Sequence, residues 1–143
     1  MLKGINWVAV LVATVALEIL GYAWYGMLFT KPWTDGMIAA GITPDPNMNT
    51  MMMAVGIVNT LVVVLGLSWL TRKLGATSLM AGVTAALAAW FFFDFTTQVL
   101  EYLYMGMAET VVFINMGYQL ASYLLAGVVL GLIKFGAPRT AVA

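Results

Sequence analysis

Two carboxylic acids stand inside long apolar runs of this chain: Glu18 within LVATVALEILGYA and Asp94 within AAWFFFDFTTQVL. A carboxyl at the centre of a bilayer costs about 2.5–3.5 kcal/mol on insertion scales, so such a residue turns toward a bundle interior and marks a proton or cation path. It can equally act as a hydrogen-bonded lock between helices. Two amides, Asn59 and Gln119, interrupt the other two apolar runs. At about 1.5 Å of rise per helical residue, Glu18 lies roughly 16 Å, Asp94 and Gln119 roughly 14 Å and Asn59 roughly 12 Å from one common end of the runs. Each run thus contributes one polar side chain to a shared layer. No Lys or Arg lies at that depth. At least one of the two acids is therefore expected to hold a proton at neutral pH, and if they touch they titrate as a pair.

Helical periodicity extends the layer into faces. In the third run Trp90, Asp94, Gln98 and Glu101 form one stripe, and in the fourth Asn115, Gln119 and Ser122 form another. Antiparallel packing sets Asn115 opposite Gln98 in depth. Thr14, Glu18, Gly21 and Tyr25 share a face of the first run, and Gly56, Asn59, Val63 and Gly66 one of the second. Glu101 lies near the edge and reads as a surface residue, and the aromatic run of Trp90 to Phe93 with Phe95 reads as lipid-facing bulk. Gly127 and Gly131 form a small-x-x-x-small pair that permits close helix contact, either inside the molecule or between two copies.

Other chemistries are excluded by composition. Cysteine and histidine are both absent, which removes disulfides, thiolates, histidine metal ligation and a histidine base. No phosphate-binding glycine loop, nucleophile elbow or dinucleotide fingerprint is present. The reading is a chain with no catalytic residues, no metal site and no cofactor, and not an enzyme. Eleven methionines without convergent spacing read as filler. Zero net charge and no extended basic cluster argue against nucleic acid.

The elements that must position these residues are transmembrane helices. Charged residues make up only 8% and hydrophobic ones 63% of the 143 residues, which lipid tolerates and water does not. One membrane domain, residues 1–143, is expected: an all-α bundle of four transmembrane helices at about residues 5–29, 51–70, 79–103 and 110–133. The first run is too long for a signal-peptide core and contains Glu18, so it reads as a permanent helix. Pro32, Gly36, Gly41, Pro44 and Pro46 break the connection at about residues 30–50, where residues 33–42 are expected to form a short interfacial anchor. Gly136 and Pro138 stop the last helix. Lys3, Arg72, Lys73, Lys134 and Arg139 fall on one side, against Lys31, Asp35, Asp45 and Glu109 on the other. The positive-inside rule then places both termini in the cytoplasm. Trp7 and Trp69 mark the inner boundary, and Tyr25, Trp33, Tyr102 and Tyr104 the outer one.

Several segments carry a resemblance. Ile5-Asn6-Trp7 opens the first helix; Gly21, Trp24-Tyr25 and Phe29-x-Lys31-x-Trp33 mark its exit. Leu74-Gly75-Ala76-Thr77 precedes the third helix, and Gly117-Tyr118 falls early in the fourth. Together they resemble domain-of-unknown-function family 1761, small four-helix bacterial membrane proteins. The pattern departs at Asn115 and Gln119, where relatives tend to show Asp and His, which weakens a proton relay on the fourth helix. The resemblance implies a four-helix fold and a bacterial inner-membrane address, and no activity. Two functional expectations follow from the residues. One is a small oligomeric transporter-like protein using Glu18 and Asp94 as protonatable or cation-binding groups. The other is a non-catalytic accessory subunit of a larger membrane complex. The lipid bilayer is the first partner; a second copy, through small-residue helix faces, or that larger complex is the next.

Overall fold

The computed structural model describes residues 4–44 and 50–133. All regular structure among them is helical. Helix α1 (Trp7–Ala23) runs into a π-helical turn (Trp24–Leu28), followed by α2 (Thr30–Ala39) and α3 (Thr50–Lys73). Helix α4 (Leu79–Ala89) continues through a second π turn (Trp90–Phe95) into α5 (Thr96–Met105), and α6 (Glu109–Leu132) completes the bundle. Four continuous rods, Trp7–Leu28, Thr50–Lys73, Leu79–Met105 and Glu109–Leu132, are long and apolar enough to cross a membrane. Their ends fall within three residues of the sequence expectation.

Helix ends follow from local chemistry. The Asn6 side chain accepts a hydrogen bond from the Ala9 amide (3.1 Å) and donates to the Ile133 carbonyl (2.7 Å), capping α1 while tying it to the end of α6. Ser78 caps α4 in the same way through the Ala81 amide (3.2 Å). The Arg72 guanidinium packs over Gly4, so the start of α1 and the ends of α3 and α6 share one end of the bundle. Of the residues used to argue orientation and helix stops, Lys3, Asp45, Pro46, Lys134, Gly136, Pro138 and Arg139 lie outside the described residues.

Helix α6 is the central element. It packs against α1, α2 and α4, whereas α1 and α4 make little direct contact with each other. Near the Arg72 end the core draws on all four rods: Val10, Ala13 and Leu17, then Val64 and Leu67, Ala86 and Ala89, and Ala126. There α4 and α6 meet through glycine. A methyl group on Gly82 would lie 3.0 Å from the Gly127 carbonyl and 3.2 Å from the Gly131 Cα. Gly127 and Gly131 are therefore turned into an internal contact.

Two expectations need correction. Residues 30–39 form a ten-residue helix docked on α6, longer than the short segment expected there: Gly36 is buried against Val111 and Ala108. Pro32 does not prevent this, because in a first turn its missing N–H has no intrahelical partner to lose. Gly41, at φ 79°, ends the segment in the left-handed region that favours glycine. The second correction concerns α3. Its buried residues are Val64, Leu67, Ser68 and Thr71, while residues 50–59 are exposed throughout. Asn59 is five residues from Val64, roughly 140° around the helix, and points away from the core. Gly66 is exposed on the same outer side, with nothing within 4 Å of where a methyl would stand.

Candidate functional site: a polar seam along α6

One face of α6 carries Asn115, Tyr118, Gln119, Ser122 and Tyr123, all half-buried. Toward α1 and α2, Asn115 is a hub. Its Oδ1 accepts from the Tyr25 hydroxyl (3.1 Å) and from Trp33 Nε1 (3.0 Å). Trp24 Nε1 donates to the Ile114 carbonyl at 3.1 Å. The π turn widens the end of the first rod so that both consecutive aromatics reach α6. Gly21 and Gly117 leave the space: a methyl on Gly21 would lie 3.1 Å from the Tyr118 hydroxyl, and one on Gly117 would lie 3.2 Å from Trp24. The ring centroids of Tyr25 stand 5.0 Å from Tyr118 and 5.6 Å from Trp33. Tyr25 and Trp33 thus pack against α6, beyond the boundary role their positions suggest.

On the opposite flank Gln98 Nε2 donates to Asp94 Oδ1 (3.2 Å), one turn away. Asp94 lies in the neighbourhood of Tyr123, and Tyr102 in that of Asn115. The half-buried stripe on this rod runs through Trp90, Asp94, Gln98 and Tyr102, and Glu101 is exposed.

Among the described residues two buried oxygens in this region, Gln98 Oε1 and Gln119 Oε1, and one buried donor, Trp90 Nε1, make no hydrogen bond. Buried polar atoms are otherwise almost always paired, since an unpaired one costs about 1–3 kcal/mol. The structure brings Asp94 and Gln98 together on one rod, while Asn115 and Gln119 share a face of α6. Glu18 stands on the α1 flank, half-buried beside Tyr118, and forms no hydrogen bond among the described residues. Asn59 takes no part. Among the described residues no three Asp or Glu side chains converge as a metal site.

The model of a protein family described as "protein of unknown function (DUF1761)" matches residues 8–131. The chain belongs to the DUF1761 family. No curated protein and no solved structure matches it. In this DUF1761 chain three tyrosines extend the seam: Tyr102, read from sequence only as a boundary marker, Tyr118, quoted only in the resemblance, and Tyr123; Tyr102 lies four residues after Gln98 and Tyr123 four after Gln119. That i, i+4 continuation is the signal that could have found two of them; Tyr118 required the close approach at Gly21.

Proposed function

We propose that this DUF1761 chain is a small transporter-like protein of a bacterial cytoplasmic membrane, with the seam between the Asp94 turn and α6 as its proton- or cation-binding path. One observation carries the reading: Asp94, a half-buried mid-span carboxyl with no Lys or Arg in the middle of the spans, is hydrogen-bonded to Gln98, whose Oε1, like that of Gln119 on α6, is buried without a hydrogen bond. A lone pair buried in apolar surroundings favours any occupant that donates a hydrogen bond or carries positive charge. Fitting groups are a proton, a monovalent cation or an organic ammonium flanked by the tyrosine rings. The orientation proposed with it puts Arg72 and Lys73 in the cytoplasm and Lys31, Asp35 and Glu109 outside.

The test is flux into liposomes bearing the purified protein, driven by a pH gradient, across alkali cations and primary to quaternary ammonium ions. Asp94→Asn keeps the shape and the hydrogen bond from Gln98 yet removes the titratable group, and is expected to lower flux at least tenfold. Glu101→Gln, at an exposed position, is expected to leave it unchanged. A wild type inert across the panel, with Asp94→Asn altering only thermal stability, overturns the reading. The accessory-subunit reading then takes its place, supported by the exposed outer part of α3 and by α5, which has no buried residue. Its test is native purification with identification of stoichiometric co-purifying chains.

A further inference from the structure

Asn59 sits near the middle of α3, about 14 Å along the helix from Thr50, on the side facing away from the bundle. It makes no hydrogen bond among the described residues. At that depth lipid offers an amide neither donor nor acceptor, and polar side chains in membranes generally find partners on another helix. Gly66 lies seven residues on, within about 20° of the same direction, and nothing approaches its Cα face within 4 Å. Val62 is exposed between them. The face therefore combines a hydrogen-bonding group with a place where another helix backbone can come close.

The identity of the occupant follows from symmetry and from what is already used. The small residues of α4 and α6 that could have formed an intermolecular seam are consumed inside the molecule, Gly82 against Gly127 and Gly131. Copies inserted in the same orientation place Asn59 at one depth. An amide carries both donors and an acceptor, so two copies about a two-fold axis along the membrane normal satisfy each other reciprocally. A different protein would need its own matched group at that depth.

We infer that two copies of this chain pair through α3, Asn59 against Asn59, with Gly66 as the point of close approach. This pairing stands apart from the transport reading, and either can fail alone.

The chain has no cysteine, so single-cysteine variants are clean probes. Val62→Cys leaves the amide in place and is expected to form a disulfide-linked dimer in native membranes on mild oxidation. Phe113→Cys, exposed on α6, is expected to stay monomeric. Adding Asn59→Val to Val62→Cys should slow the cross-link about tenfold. In liposomes at decreasing protein-to-lipid ratio, subunit counting should show Asn59→Val weakening dimerisation on the order of tenfold, with Asn59→Gln retaining most of it. Unfolding in detergent, which reads the single chain, should be unchanged by Asn59→Val and so separates loss of pairing from loss of fold. A wild type that is monomeric throughout the dilution series, or a cross-linking rate unchanged by Asn59→Val, overturns the inference.

Discussion

Replacing Gly127 by alanine tests whether the α4–α6 contact is a backbone contact. The added Cβ would lie 2.9 Å from the Ala86 Cβ, 3.0 Å from the Val83 Cα and 3.2 Å from the Gly82 carbonyl oxygen. Carbon atoms attract best at about 3.5–4.0 Å, so each carbon contact is short by about half an ångström or more. Two of the three atoms are backbone and the third is a Cβ; none can swing aside. The helices must move apart, and Gly82 and Gly131, packed in the same seam, lose contacts with them. Overpacking of this kind costs about 1–3 kcal/mol. Alanine returns about 0.5–1 kcal/mol by stiffening the helix. The net is a destabilisation of about 1 kcal/mol. Gly56→Ala is the control, since nothing lies within 4 Å of its Cβ position, and it should be neutral or stabilising by about 0.5–1 kcal/mol. Reversible unfolding by SDS in mixed micelles, followed by helical circular dichroism, compares the two directly. Gly82→Ala combined with Gly127→Ala should depart from additivity, because both methyls enlarge one gap. A Gly127→Ala variant as stable as Gly56→Ala would refute the close contact.

Asn115→Leu removes the shared acceptor of Tyr25 and Trp33, leaving two donors in a half-buried site; a loss of about 2 kcal/mol and a shifted tryptophan emission are expected. Gly36→Leu pushes a branched side chain into Val111 and Ala108 and should undock α2, read as faster hydrogen exchange over Thr30–Ala39 with the four long rods still protected. Asn6→Ala removes both the cap of α1 and the tie to Ile133, costing about 1–2 kcal/mol in the same unfolding assay. Asn6→Asp, which keeps the cap acceptor, should recover part of it.

What the sequence made legible tracks the physical signal behind each element. The rods were readable because apolar length has a fixed target, the bilayer thickness, and because Gly75 and Gly106 end helices in a left-handed conformation. Positions on α6 were readable because an unbroken helix keeps its period, so Asn115, Gln119 and Ser122 do share a face. Asn59 was misplaced for a reason of composition. Nearly every residue around α3 is apolar, so its period carries no preference, and a grouping through Gly56 and Gly66 looked as good as the observed one through Val64 and Leu67. Helix α2 was missed because Pro32 and two glycines read as breakers; only the docking of Gly36 onto α6 shows that the breakers bound a helix.

The π turn at Trp90–Phe95 connects these observations to the seam. Before it, α4 lies so close to α6 that Gly82, Gly127 and Gly131 have no room for a methyl group. Beyond it, α5 and α6 make little direct contact. The wide turn leaves Asp94 half-buried beside Gln98 and Phe91, Phe92 and Phe93 exposed. The glycine contact holds the two rods together at the Arg72 end, and the Asn115 hub ties α6 to the first rod and α2 at the other. Between them lie the unpaired oxygens of Gln98 and Gln119. A site that must admit and release an occupant gains from that placement, because local opening there disrupts no glycine packing.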